Sequence, residues 1–363
     1  MKKILIIITT GFASSGGLTT VMMNYYRNID KSDLQIDFAS TNEIDNSYLE
    51  ELSANNSQYF NLGDRKKNPF KYLLNLYKLL SKEKYDVLHV NGNSATMGLE
   101  LFIACLHKIP FRIAHGHTTQ SNYPLLHNFL YLFFKRTYTH AIVTSDKAGK
   151  WLFKKNYYVL NNAIDFHKYA YSEQTRNELR ANLGISDKFV VGNVGKLNIP
   201  KNHSFLIDIF EKIYKRNKDA VLIIAGGGSQ DTILKTKCKE KGLEDAVIFL
   251  GMLNDTSKIY NAFDVFVFTS LFEGLGMVLI EAQVSGLKCF SSDVVPLETK
   301  VTDNIEYLSL NDTADLWAEK ITEIEKYDRE KMALSSQKSI TENGYNIETE
   351  AVKLKKIYVS GTF

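Results

Sequence analysis

Glu273 and Glu281 stand eight residues apart in the stretch TSLFEGLGMVLIEAQVSG, residues 269–286. A loop carrying Glu273, Gly274 and Gly276 opens directly into an apolar run of helix length that holds the second carboxylate. Glycines at the mouth of a helix let the backbone come close to a ligand, and the first-turn N–H groups of Leu275, Gly276 and Met277 are expected to lack intrahelical partners. Such a mouth favours an anion. A diphosphate fits, because the orphan donors and the positive end of the helix dipole point the same way. Glu281 lies between Ile280 and Ala282 in a helix that otherwise reads as buried, and an ionised carboxylate taken out of water needs partners. Were the whole segment helical, the two acids would be separated by a rise of roughly 12 Å. That is the scale of a sugar nucleotide, with one carboxylate near the sugar and the other near the ribose.

A second set of charges precedes it. In KFVVGNVGKLNIPKNHSFLIDIF a strand ends at Gly195, and Lys196 and Lys201 occupy the loop before a helix that starts near His203. Two ammonium groups at a strand's end suit a diphosphate that gains charge as it leaves. The stretch PFRIAHGHTTQSNY places His115 and His117 on a strand and the loop that leaves it. Residues two apart in an extended chain point to opposite sides, so one histidine of the two is expected to face a ligand, and a metal pair is disfavoured.

These residues need an α/β scaffold, and the chain supplies one. Short β-branched or apolar runs alternate with helical patterns from end to end, which argues mostly parallel sheets. Strands are expected at 4–8, 35–39, 58–62, 86–90, 140–144 and 157–161. A second series ends at Gly195, at the glycines of VLIIAGGG, at Gly251 and at 264–269; beyond 287–290 the chain reads as helical and polar. The Gly- and Ser-rich loop from Gly11 to Gly17 follows the first strand but lacks both G-x-G-x-x-G and a P-loop lysine, which disfavours a dinucleotide or ATP site. Three adjacent glycines at 226–228 read as a place of close backbone approach, and Asp255 as a helix cap.

The segment 269–286 resembles the Glu-x7-Glu signature of the retaining glycosyltransferases of family 4, and the resemblance extends over nearly the whole chain. It implies a GT-B fold: two Rossmann-like domains facing a central cleft. The acceptor-side domain would cover 1–165, the nucleotide-sugar domain 166–344, and a last helix, about 345–363, would cross back to the first. The family's G-R-x4-K pattern is similar to the segment holding Lys196 and Lys201, with lysine where arginine is usual. That keeps the charge and loses the bidentate fork. NNAIDFHKY resembles the interdomain Asn-Gly-Ile-Asp link, with Ala163 in place of glycine.

By this resemblance His117, with His115 second, contacts the donor sugar through an R-I-x-H-x-H stretch. Lys196 and Lys201 stabilise the departing diphosphate, and Glu273 orients the sugar hydroxyls. Gly16, Gly17, Met252, Gly274, Leu275, Gly276, Met277 and Glu281 bind the donor, Met252 through its backbone at the base and Glu281 at the ribose. No metal and no cofactor is required. The implied activity is hexosyl transfer from a nucleoside diphosphate, expected to be uridine-linked, to a lipid-linked or glycan acceptor in capsule or exopolysaccharide synthesis. The alternatives are a sugar-nucleotide epimerase of the same fold and a binding-only partner subunit.

Whole-chain properties bound these readings. At 363 residues two domains are expected. Three cysteines, Cys105, Cys238 and Cys289, are too few and too scattered for a disulfide framework or zinc site, which suits a cytoplasmic protein. The first 165 residues hold 19 Lys and Arg against 13 Asp and Glu, the remainder 25 against 28. With no nucleic-acid-binding signature, the basic half points to an anionic membrane surface or a lipid diphosphate rather than to nucleic acid. Residues 65–84 form a lysine-rich amphipathic helix, with Phe70, Leu73, Leu74, Tyr77 and Leu80 as its apolar face. Together with 127–136 they would supply a peripheral contact at the inner face of the membrane.

Overall fold

The computed structural model describes residues 1–13, 16–121 and 123–362. They form two compact units, Met1–Ile164 with Gly344–Phe363, and Asp165–Asn343.

Seven parallel strands make the sheet of unit 1: β1 Lys2–Ile8, β2 Leu34–Ser40, β3 Tyr59–Asn61, β4 Val87–Gly92, β5 Phe111–Gly116, β6 His140–Val143 and β7 Tyr158–Val159. Their order is β3-β2-β1-β4-β5-β6-β7. Ile4 to Ile8 are buried because a parallel sheet is covered on both faces, which is why that strand reads as a continuous apolar run. Helices α1 Gly17–Asn28 and α2 Asn46–Ala54 cover one face. The other face carries α3 Pro69–Lys82, α4 Gly98–Leu106, α5 Pro124–Phe134 and α6 Asp146–Leu152.

Unit 2 repeats the plan with six parallel strands: β8 Phe189–Val194, β9 Ala220–Ala225, β10 Val247–Gly251, β11 Val265–Phe268, β12 Lys288–Ser292 and β13 Ile305–Leu308. Their order is β10-β9-β8-β11-β12-β13. Its helices are α7 Phe166–Tyr169, α8 Glu173–Asn182, α9 His203–Arg216, α10 Asp231–Glu240, α11 Met277–Val284, α12 Ala314–Thr322 and α13 Arg329–Glu342. The chain then returns to unit 1 as α14, Ile347–Ser360, which buries Ile347, Ala351, Leu354 and Ile357 in the core shared with α1.

Three expectations change. The segment after β12 is not wholly helical, because Ile305–Leu308 adds a sixth strand; at four residues it is too short to show a period. On α3 the core face is Tyr72, Leu76 and Leu80, whereas Phe70, Leu74 and Tyr77 are exposed. That helix carries two apolar stripes, and the single apolar face read from sequence merges them. Asp255 caps a turn rather than a helix, its Oδ1 accepting the N–H of Ser257 at 2.9 Å.

Both sheets have a point where strand order reverses, β1/β4 in unit 1 and β8/β11 in unit 2. In open parallel sheets the loops leaving the strands' carboxyl ends diverge there and leave a crevice for a ligand. Lys196, Lys201, Glu273 and Glu281 of unit 2 lie on or just beyond the loops that follow β8 and β11.

Candidate active site

In unit 2 the loop after β8 and the loop after β11 are tied together. Leu271 donates its N–H to the Pro200 carbonyl at 2.7 Å, and Thr269 donates its hydroxyl to the Asn202 carbonyl at 2.9 Å. Lys201, mostly buried, places Nζ 2.5 Å from Glu273 Oε1, and Ser270 donates its hydroxyl to the same oxygen at 2.7 Å. Glu273 Oε2 has no partner among the described residues, so one oxygen is held and the other is open. The Lys201 ammonium also sits 4.8 Å from the centre of the Phe268 ring, and its stem packs near Gly195. Lys196, one residue beyond Gly195, is exposed with no side-chain partner among the described residues.

The helix mouth takes the expected form. Gly276 caps α11 in the left-handed region at φ 91°, a conformation that costs a residue with a Cβ roughly 1–2 kcal/mol. The N–H groups of Leu275, Gly276 and Met277 meet no acceptor among the described residues. Helix starts only at Met277, however, so the 12 Å rise from Glu273 to Glu281 does not apply: the first half of that interval is loop. Gly274 has open space where a Cβ would stand.

Glu281 has the partners a withdrawn carboxylate needs. Tyr260 donates its hydroxyl to Oε2 at 2.5 Å, and the Tyr169 phenol is close enough to favour the ionised carboxylate. Burial pushes this carboxyl above the ordinary glutamate range, and the two phenols and Lys201 pull it only part of the way back. The field of Lys201 reaches both acids, which places Lys201, Glu273 and Glu281 in one neighbourhood. Beneath them, His203 Nε2 donates to Asn193 Oδ1 at 2.9 Å while its Nδ1 is buried without a partner. Burial and the adjacent Lys201 push the His203 imidazole down to about 4, so it stays neutral.

The glycines at 226–228 turn out to be internal. A Cβ on Gly226 would stand 1.9 Å from the Gly195 carbonyl, and one on Gly228 2.3 Å from the Leu197 carbonyl. The backbone that approaches them is the chain's own β8 loop. Met252, 78% exposed, follows the left-handed Gly251 at the end of β10, next to Gly227.

In unit 1, His115 is the penultimate residue of β5 and fully buried, and His117 lies just past the strand, partly exposed. Their rings are 4.1 Å apart and tilted by 32°, not on opposite sides as strand alternation required. The strand stops at Gly116, so the alternation stops with it. His117 Nε2 lies 3.0 Å from Asn91 Oδ1 on β4, and His89 stacks on the other side of His115 with Nε2 3.1 Å from its Nδ1. His89 Nδ1 pairs with the Tyr358 hydroxyl of α14 at 2.7 Å, and His115 Nε2 has no partner. Burial pushes His89 and His117 down to about 3, so all three rings are neutral. Gly16 caps α1 and Gly17 begins it; Ser14 and Ser15 of that loop lie outside the described residues.

Sequence reasoning missed Tyr169, Tyr260, Ser270, Asn193 and His203. Tyr260 sits in a single 3-10 turn, Ile259–Ala262, and Tyr169 in a four-residue helix. Nothing in their local pattern separates them from core aromatics.

Comparison with known proteins agrees with this architecture. Residues 15–192 match the model described as Glycosyltransferase Family 4, and 175–346 the model described as Glycosyl transferases group 1. The chain is 28% identical to the Bacillus subtilis protein EpsF, named for glycosyl transfer, over 94% of this chain and 93% of that one. It is also 28% identical to the Escherichia coli UDP-Gal:alpha-D-GlcNAc-diphosphoundecaprenol alpha-1,3-galactosyltransferase, over 80% and 79%. Among solved structures, Anabaena HepE in complex with UDP superposes with a TM-score of 0.79 at 18% identity, covering 99% of this chain and 100% of that one. Two family models that together span 15–346, on two doubly wound parallel sheets, establish the chain as a glycosyltransferase of family 4 with the GT-B fold.

Proposed function

We propose that the protein transfers a hexosyl group, with retention, from a UDP-sugar to a lipid-linked acceptor in capsule or exopolysaccharide synthesis. The observation that carries the reading is the half-satisfied Glu273 beside Lys201 and the three open amides of the α11 mouth. In this reading the diphosphate lies against Leu275, Gly276 and Met277, whose N–H groups need no reorganisation to receive it. Lys201 stands next to that mouth, and Lys196 is free to close on the phosphates. Glu273 Oε2 accepts from hydroxyls of the transferred sugar while Lys201 and Ser270 hold its other oxygen. Glu281, steadied by Tyr260 and Tyr169, accepts from the ribose, and Gly251–Met252 backbone meets the base. The positive field comes from lysines and amides, so this set asks for no divalent metal.

Relatives support the donor and acceptor classes: the Escherichia coli enzyme is named for UDP-galactose and a diphosphoundecaprenol-linked acceptor, and HepE was solved with UDP. Incubation of the purified chain with radiolabelled UDP-sugars and a lipid-diphosphate acceptor should release UDP and label the lipid with an α-linked sugar. If no nucleotide sugar is consumed and none raises the melting temperature, the proposal is wrong.

A further inference from the structure

Unit 1 exposes large apolar side chains on three neighbouring helices. Leu125, Phe129 and Leu132 of α5 are 85%, 82% and 68% exposed, and Phe70 of α3 is 86% exposed. Phe102 and Leu106 of α4 continue the surface between them. These helices pack side by side on one face of the sheet, their inner sides sharing a single core, so their outer sides form one continuous face. Between them runs an apolar furrow of about 290 Å³ lined by Leu73, Leu99, Tyr123 and Leu126, with Lys66 also in its wall. Scattered exposed leucines need no explanation, but a patch of this kind asks for a partner.

Charge selects the partner. Residues 65–82 and 101–145 contain no Asp or Glu. Glu100, which lies between them, is fully buried in a pair with Arg65 at 2.5 Å. Within those two stretches the exposed charges are Lys66, Lys67, Lys71, Lys78 and Lys82 around α3, Lys108 after α4, and Lys135 and Arg136 after α5; the bordering acids Asp64 and Glu83 pair with Lys67 and Lys3. At about 100° per residue, Phe70, Leu74 and Tyr77 form one stripe of α3 and Lys71, Lys78 and Lys82 the stripe beside it. Protein interfaces are depleted in lysine, whereas a lysine border on a Leu- and Phe-rich face matches a surface that enters the headgroup layer of a membrane.

We infer that this three-helix face docks on an anionic lipid bilayer, with Leu125, Phe129 and Leu132 among the acyl chains and the α3 lysines against the headgroups. The inference deepens the lipid-linked acceptor reading but uses none of its donor-site residues, so the two fail separately.

Co-sedimentation of the full chain with phosphatidylcholine vesicles, with and without phosphatidylglycerol, tests it. Binding should be at least roughly tenfold tighter to the anionic vesicles and fall about fivefold for each of Lys71→Glu and Lys78→Glu. Leu125→Ser combined with Phe129→Ser should abolish binding with no drop in melting temperature, because both side chains are exposed. Lys71→Arg should retain it. Equal partitioning of the wild type and the Leu125/Phe129 double variant would overturn the inference, as would a dimer in solution that the double variant dissolves. Vesicle binding by a chain that turns over no nucleotide sugar would overturn the transferase reading alone.

Discussion

Glu273 illustrates how a carboxylate can be both fixed and available. Lys201 and Ser270 share Oε1, so the side chain is oriented without using Oε2. Replacing it by Gln keeps the shape and removes the charge that strengthens its hydrogen bonds. Glu273→Gln should lower kcat about 100-fold, a loss of the size seen when one charge-stabilising group is removed. UDP should still raise the melting temperature, and turnover within a few fold of wild type would remove Glu273 from the proposed roles. Glu281 carries a pH signature. Burial raises its pKa and the Tyr260 hydroxyl opposes that rise, so donor affinity should weaken as pH falls through the raised value. Tyr260→Phe takes away one opposing bond and pushes the pKa higher still. The acid limb of kcat/KM should therefore move to higher pH in this variant, and an unmoved limb would mean that another group governs it.

Among the elements, the β8 and β9 loops behave as one interlocked piece. Gly226 has φ 152° and faces the Gly195 carbonyl at a distance no Cβ tolerates, whereas Gly274 faces open space. Gly226→Ala should destabilise unit 2 by more than about 2 kcal/mol, and Gly274→Ala by less than about 0.5 kcal/mol. Urea titrations of the two variants check the contrast, and equal effects would show that the loop relaxes freely. The first-turn amides of α11 depend in the same way on Gly276, the residue that lets the chain enter the helix from the left-handed region. On α3, the stripe of Phe70, Leu74 and Tyr77 lies outside the core, and Tyr72, Leu76 and Leu80 hold the helix on its sheet.

Across the whole molecule, α14 returns from the end of unit 2 to complete the core of unit 1, where Leu354 is 1% exposed. Leu354→Ala should cost about 2–5 kcal/mol, read as a lower urea midpoint, since a buried leucine leaves a cavity when truncated. The buried histidines tie stability to pH. His89 and His117 fall to about 3 and His203 to about 4, against an ordinary value of 6.5 that the unfolded chain retains. Between these values the unfolded state binds protons that the folded state refuses, so their contribution is complete above pH 6.5 and is lost as pH falls toward 3. The urea midpoint should drop between pH 7 and pH 5, and a flat profile would show that these imidazoles protonate inside the fold.

Local chemistry alone determined a good part of this protein. Alternating apolar runs and helical periods specified two parallel sheets, because each period is written in consecutive residues and the inner strands are buried on both faces. The glycine mouth before Met277 and the acids at Glu273 and Glu281 were likewise visible, since a left-handed cap and a carboxylate in an apolar run are local anomalies. Tertiary structure decided what those anomalies meet. Tyr260 reaches Glu281 across 21 residues, Lys201 reaches Glu273 across 72, and Tyr358 reaches His89 across 269, separations that no local period records. The close approach of His115 and His117, the four-residue strand β13 and the outward stripe of α3 belong to the same class. Which side of a residue is buried depends on the neighbour the fold brings to it, and that neighbour is supplied from elsewhere in the chain.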